Sequence, residues 1–196
     1  PDGTKFYTAG NAAVWEYSMS TPYDVSTATY VQNFSISAQE ASVTGVEFKP
    51  DGTKMYIIGT TGDDVNEYDL STAWNISTAS YLQNFSITAQ ETSPFAVRFK
   101  PDGTKMFISD DNGNDINEYS LSTAWDLTTG SYVTNFSVGS QDGQPSGLEF
   151  NADGKVLYMA GFSNDRIYKY NLSTAYDIST MGYSSEYISV SGQSSQ

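Results

Sequence analysis

Histidine and cysteine are both absent from the 196 residues. Their absence excludes a Ser-His-Asp triad, a thiol nucleophile, imidazole or thiolate zinc ligation and any disulfide. Basic residues are scarce: nine Lys and Arg stand against 23 Asp and Glu, a formal charge of -14. So acidic a chain repels nucleic-acid phosphates and anionic lipid, and neither is an expected partner. No apolar run nears the ~20 residues that span a bilayer, so no membrane insertion is expected. What is plentiful is aromatic surface. Tyr, Phe and Trp make up 14% of the chain, too much for a disordered acidic segment, and the length suits one domain with a sizeable core.

The aromatic residues recur. Tyr17, Tyr68, Tyr119 and Tyr170 are each 51 residues apart, as are Phe34, Phe85, Phe136 and Tyr187, and Tyr23, Trp74, Trp125 and Tyr176. The string Pro-Asp-Gly-Thr-Lys opens at Pro1, Pro50 and Pro101 and returns as Ala152-Asp153-Gly154-Lys155. The first interval is two residues shorter because of a deletion near Gly10-Asn11. Four copies place the blades of a repeat fold at 1–43, 44–94, 95–145 and 146–196.

Each copy reads as four strands. Thr44 to Lys49 alternates with period two into Pro50-Asp51-Gly52, a hairpin turn in which Pro presets φ and Gly accepts positive φ. Lys54 to Ile58, Asp64 to Leu70 and Ser80 to Ile87 supply the rest, and no stretch carries helical periodicity. Four antiparallel strands repeated at this interval predict an all-β fold, a β-propeller with four visible blades. A β-solenoid fits less well, because its coils are shorter and lack regular turns of this kind. The run PDGTKMYIIG, followed by DDVNEYDLSTAWNIST, resembles a repeat of β-propeller proteins from marine bacteria and their phages, and more loosely YVTN, TolB-like and WD-repeat blades. The resemblance covers the whole chain, implies architecture, and carries no catalytic residue over.

The innermost strand precedes Pro50, Pro101 and Ala152, but nothing precedes Pro1, and Gln196 matches Val43, Pro94 and Pro145. The first blade is therefore expected to lack its innermost strand. Two readings stay open: a mature product or segment cut from a longer array, with further blades completing the ring, or a blade completed by a neighbouring subunit through strand addition.

Repeated positions are structural first. The Tyr17 and Phe34 sets are expected in the core between blades, and Lys5, Lys54, Lys105 and Lys155 as solvated hairpin residues. Tyr23, Trp74, Trp125 and Tyr176 are blade anchors or stacking platforms for sugars, and Trp15 breaks the repeat as a ligand platform or a local core change. The loops after the second strand carry Asp63, Asp64, Asp110, Asp111, Asn114 and Asp115; with Glu40, Glu91 and Asp142 they predict an acidic loop face. These oxygens suit Ca2+, although Asp, Asn and Gly are also ordinary turn residues. The Asn-x-Ser/Thr triplets at Asn33, Asn75, Asn84, Asn135 and Asn171 read as repeated strand sequence or as glycosylation acceptors. The leading functional expectation is a non-catalytic binding or structural module, extracellular, on a cell surface or on a virion, recognising glycan or protein. A metal-dependent hydrolase of lactonase or glycosidase type and a self-assembling fibre subunit are the alternatives.

Overall fold

The computed structural model describes residues 2–194, so Pro1 and Gln196, on which the reading of the two ends turns, lie outside the described residues. Among the described residues, fifteen strands form four antiparallel sheets, the blades of a β-propeller. Blade 1 has three strands, β1 (Lys5–Gly10), β2 (Ala13–Met19) and β3 (Ala28–Ser35). Blade 2 has four: β4 (Val43–Phe48), β5 (Lys54–Gly59), β6 (Asp64–Leu70) and β7 (Ala79–Ser86). Blade 3 repeats them as β8 (Pro94–Phe99), β9 (Lys105–Asp110), β10 (Asp115–Leu121) and β11 (Gly130–Ser137). Blade 4 holds β12 (Pro145–Phe150), β13 (Val156–Gly161), β14 (Arg166–Leu172) and β15 (Met181–Ser189).

Local chemistry sets the turns. In the first hairpin of blade 2 the Asp51 carboxylate accepts the Thr53 N–H at 3.0 Å and its hydroxyl at 2.6 Å, while Gly52 takes φ +75°. At the outer corner a single turn of 3-10 helix, Ile76–Thr78, is capped by Asn75, whose side chain accepts the Ser77 N–H. Asp24, Asp126 and Asp177 cap the equivalent turns. Each outermost strand then pairs through a bulge, which in blade 2 falls between Glu67 and Tyr68. The outer strand of blade 2 ends at Ser86, not Ile87, because the Ile87 carbonyl accepts the Gln90 and Glu91 N–H groups and closes a turn.

The bulge of blade 4 is one residue wider. Lys169 stands opposite Glu186 and Tyr170 opposite Tyr183, with Ser185 at φ 66° between them. The insertion moves Tyr187 opposite Tyr168, the place of Asn84 opposite Asn66, and puts Ile188 where Phe34, Phe85 and Phe136 lie. Tyr187 is therefore not the fourth member of the Phe34 set, although the bare spacing makes it one.

The chain divides into two compact units, one ending at Ser86 and the other beginning at Ile87. In the first, Val14 and Ile36 pack with Met55, Ile57, Tyr68, Leu70 and Ile76, with the Phe34 ring edge-on to Tyr68 at 5.8 Å. In the second, Phe107, Ile116 and Val138 pack with Leu157, Met159, Tyr168 and Tyr170, with Phe136 edge-on to Tyr170 at 6.0 Å. Each fully buried side chain of this size contributes about 1.5–3 kcal/mol, so Tyr68 and Tyr170, met edge-on by Phe34 and Phe136, hold adjacent blades together within each unit. Tyr17 instead lies half-buried on Phe6 and Tyr30 of its own blade, and Tyr187 is exposed.

Candidate functional site

The corner aromatics are anchors within their own blades. A Cβ on Gly52 would lie 2.3 Å from Trp74 Nε1, one on Gly103 2.2 Å from Trp125 Nε1, and one on Gly154 2.1 Å from Tyr176 Cε2. Each ring lies against the turn glycine, and the backbone N–H of the same residue donates to that glycine's carbonyl, at 2.9 Å for Trp74 and 3.0 Å for Trp125. A phenylalanine covers the other side: Phe48 on Trp74 at 5.6 Å, Phe99 on Trp125 at 5.1 Å and Phe150 on Tyr176 at 5.2 Å. Tyr23 sits on Gly3 in the same way yet is 76% exposed. Trp15 is half-buried in β2, opposite Thr8 and Asn33.

Lys155 is exposed at its hairpin as expected, but Lys5, Lys54 and Lys105 are not solvated hairpin residues. In the first unit Lys5 Nζ lies 2.5 Å from Glu16 Oε1 and donates to the Trp74 carbonyl at 2.8 Å, while Glu16 Oε2 accepts the Ile76 N–H at 3.3 Å. In the second, Lys105 pairs with Glu118 at 2.6 Å and donates to the Tyr176 carbonyl at 2.8 Å, and Glu118 Oε2 accepts the Ile178 N–H at 3.1 Å. Each couple ties one blade to the corner of the next. Glu16 and Glu118 are 3% and 1% exposed, and such burial requires these partners. In blade 4 Val156 and Lys169 replace the couple, and Lys169 pairs with Glu186 at 2.8 Å. Lys155 aligns with Thr53 and Thr104, not with the paired lysines.

The loop carboxylates also turn inward. Glu40, Glu91, Asp64, Asp110, Asp115 and Asp142 are all buried, so the acidic face expected from their types is in large part internal. Asp64 accepts Asn66 Nδ2 at 2.6 Å and also Asn84 Nδ2; Asp115 accepts Asn117 and Asn135 at 2.7 and 2.6 Å. Two of the Asn-x-Ser triplets, at Asn84 and Asn135, therefore have structural work as strand residues, and Asn75 caps a turn. Asp63, Asn114 and Asp165 occupy the left-handed position of the loop, at φ 47°, 51° and 49°, which short polar side chains tolerate. Asp111 Oδ2 accepts Gln144 Nε2 at 3.2 Å. Among the described residues, no three Asp or Glu side chains gather as metal ligands would.

Blade 3 departs from this plan at one position. In blade 2 Glu40 accepts the N–H groups of Ser42 (2.6 Å) and Thr61 (3.1 Å), and in blade 4 Asp142 accepts those of Gln144 (2.9 Å) and Ser163 (3.1 Å). Both carboxylates lie over a strand glycine: a Cβ on Gly59 would fall 2.4 Å from Glu40 Cδ, and one on Gly161 2.3 Å from Asp142 Oδ2. In blade 3 that glycine is Asp110, whose own carboxylate fills the space and accepts the Ser93 N–H at 3.0 Å and the Gly113 N–H at 2.5 Å. Glu91 is displaced onto Tyr119, which donates its hydroxyl at 2.8 Å, and Glu91 Oε2 has no hydrogen-bond partner among the described residues. Burial pushes the Glu91 carboxyl up to about 8, against the pull of the Tyr119 hydrogen bond and helped by the charges of Asp110 and Asp115. Burial also raises Asp115. The signal for this site is a glycine column, Gly10, Gly59 and Gly161, interrupted by Asp110.

No family model and no curated protein matches the chain. Solved structures do. A candidate 6-phosphogluconolactonase from Bacteroides uniformis matches with TM-score 0.65 and 16% identity over 97% of this chain and 53% of its own. The periplasmic gluconolactonase of Pseudomonas aeruginosa matches with TM-score 0.60 and 14% identity over 97% of this chain and 52% of its own. The β-propeller domain of Myceliophteria thermophila Cps50 matches with TM-score 0.59 and 13% identity over 96% and 56%. At these identities the likeness establishes the β-propeller fold and nothing finer. The chain spans about half the length of each of these proteins.

Proposed function

We propose that the chain is a non-catalytic binding or structural β-propeller module, extracellular or surface-displayed, that recognises protein or glycan. One observation carries the reading: buried carboxylates that would serve hydrolysis already serve the fold. Glu16 and Glu118 hold the corners of neighbouring blades, Asp64 and Asp115 hold paired asparagines, and Glu40 and Asp142 hold loop N–H groups. Exposed apolar side chains stand instead on the outer strands, among them Tyr30, Tyr81 and Tyr132.

A metal-dependent lactonase is the second reading. Its support is the fold shared with a gluconolactonase and the upward-shifted carboxyls of Glu91 and Asp115. The deciding assay is hydrolysis of aldonolactones by the chain with and without millimolar Ca2+ or Mn2+. The binding-module reading predicts rates equal to the buffer blank in every condition. Turnover that is lost in Glu91→Gln or Asp115→Asn would overturn it.

A further inference from the structure

Asparagine precedes glycine once in the chain, at Asn112–Gly113. The pair is reactive by constitution, because a residue without Cβ leaves its nitrogen open to attack the preceding side-chain amide. It lies in the loop between β9 and β10, where blades 2 and 4 carry Thr61-Gly62 and Ser163-Asn164. Asn112 is exposed, so water reaches it.

Both reacting groups are tethered. The Gly113 N–H donates to Asp110 Oδ2 at 2.5 Å, and Asn112 Nδ2 donates to Thr92 Oγ1 at 2.8 Å. The tethering residues belong to blade 3 alone: Gly59 and Gly161 stand in the place of Asp110, and Ala41 and Gly143 in that of Thr92. Gly113 also sits between two carboxylates. A Cβ on it would fall 3.0 Å from Asp115 Oδ2 and 3.1 Å from Asp110 Oδ2, so a side chain would crowd both. Their charges oppose the negative charge that the Gly113 nitrogen must acquire to react.

We propose that Asn112 is a deamidation site gated by this loop. While the loop is closed, the tethers and the flanking carboxylates hold the reaction in check, and local opening releases it. The Gly113 nitrogen then bonds to Asn112 Cγ, the Cγ–Nδ2 bond breaks, and Nδ2 leaves as ammonia with the proton that Gly113 gives up. Water opens the resulting imide. Cleavage at Cγ leaves aspartate; cleavage at the main-chain carbonyl leaves isoaspartate, with the side-chain methylene inserted into the backbone. Either product adds a carboxylate beside Asp110 and Asp111 and removes the amide that donated to Thr92. The modified loop cannot restore its starting contacts, so the change records that it has opened.

The test is mass-spectrometric peptide mapping of the whole chain during incubation at mildly alkaline pH, beside the free peptide Asp-Asp-Asn-Gly-Asn-Asp. Asn112 is expected to lose its amide before any other asparagine, and at least about tenfold more slowly than the peptide. Asp110→Gly restores the residue of blades 2 and 4 and should speed the loss about tenfold; Thr92→Ala restores that of blade 2 and should speed it about fivefold. The other asparagines should keep their rates in both variants, which separates release of this loop from general loosening of the fold. Asn112→Ser should abolish the modification. Earlier reaction at another asparagine, a rate in the folded chain equal to the peptide's, or an unchanged rate in either variant would overturn the proposal.

Discussion

Gly103 meets two demands at once. Its φ of +75° is a conformation that L side chains rarely adopt, and the Trp125 ring occupies the space a Cβ would need. The turn requirement is legible in Pro-Asp-Gly; the ring contact is not, because Trp125 lies more than twenty residues downstream. Gly103→Ala should therefore cost more than an ordinary turn substitution, about 2–4 kcal/mol of unfolding free energy, since the ring must leave its seat. Urea denaturation checks it. A loss below about 1 kcal/mol, the cost of backbone conformation alone, would show that the ring contact contributes little.

At the scale of the element, spacing reveals the strands and hides their exceptions. A 51-residue interval finds β5, β9 and β13 but cannot show an extra residue in the bulge of β15, which shifts Tyr187 by one place and exchanges the faces of the strand. Charge misleads in a similar way. Glu40, Glu91 and Asp142 look like solvated loop residues, yet Glu40 and Asp142 are buried on loop N–H groups that would otherwise be left unpaired, and Glu91 is buried on the Tyr119 hydroxyl. Only the exchange of glycine for Asp110 marks blade 3 as different. That exchange has a pH consequence. Below the ordinary glutamate value of 4.5 the Glu91 carboxyl is protonated in both folded and unfolded chains. Between there and about 8 the folded chain holds a proton that the unfolded chain has released, so stability falls as pH rises through this window. The loss is on the order of a few kcal/mol. Glu91→Gln should flatten the fall, measured as urea unfolding free energy between pH 5 and pH 8. An unchanged slope would contradict the assignment.

For the whole molecule, the sequence shows a propeller through its periodic aromatics, and the solved structures share that fold at low identity. The candidate site is less legible. Trp74, Trp125 and Tyr176 present themselves as binding aromatics, but their ring contacts are spent on glycine and phenylalanine of the same blade. Asp110 and Asp115 present themselves as Ca2+ ligands, but accept backbone and asparagine N–H groups. Spacing along a chain does not reveal which acceptor lone pairs are already occupied. The central claim is that these carboxylates are internal ties of the fold. Its most direct test is the unfolding free energy of the chain in excess Ca2+ against the same buffer with a chelator. The account predicts equal values within error; a rise of about 2.7 kcal/mol at a hundredfold excess over the dissociation constant, as ligand binding to the folded state alone requires, would contradict it.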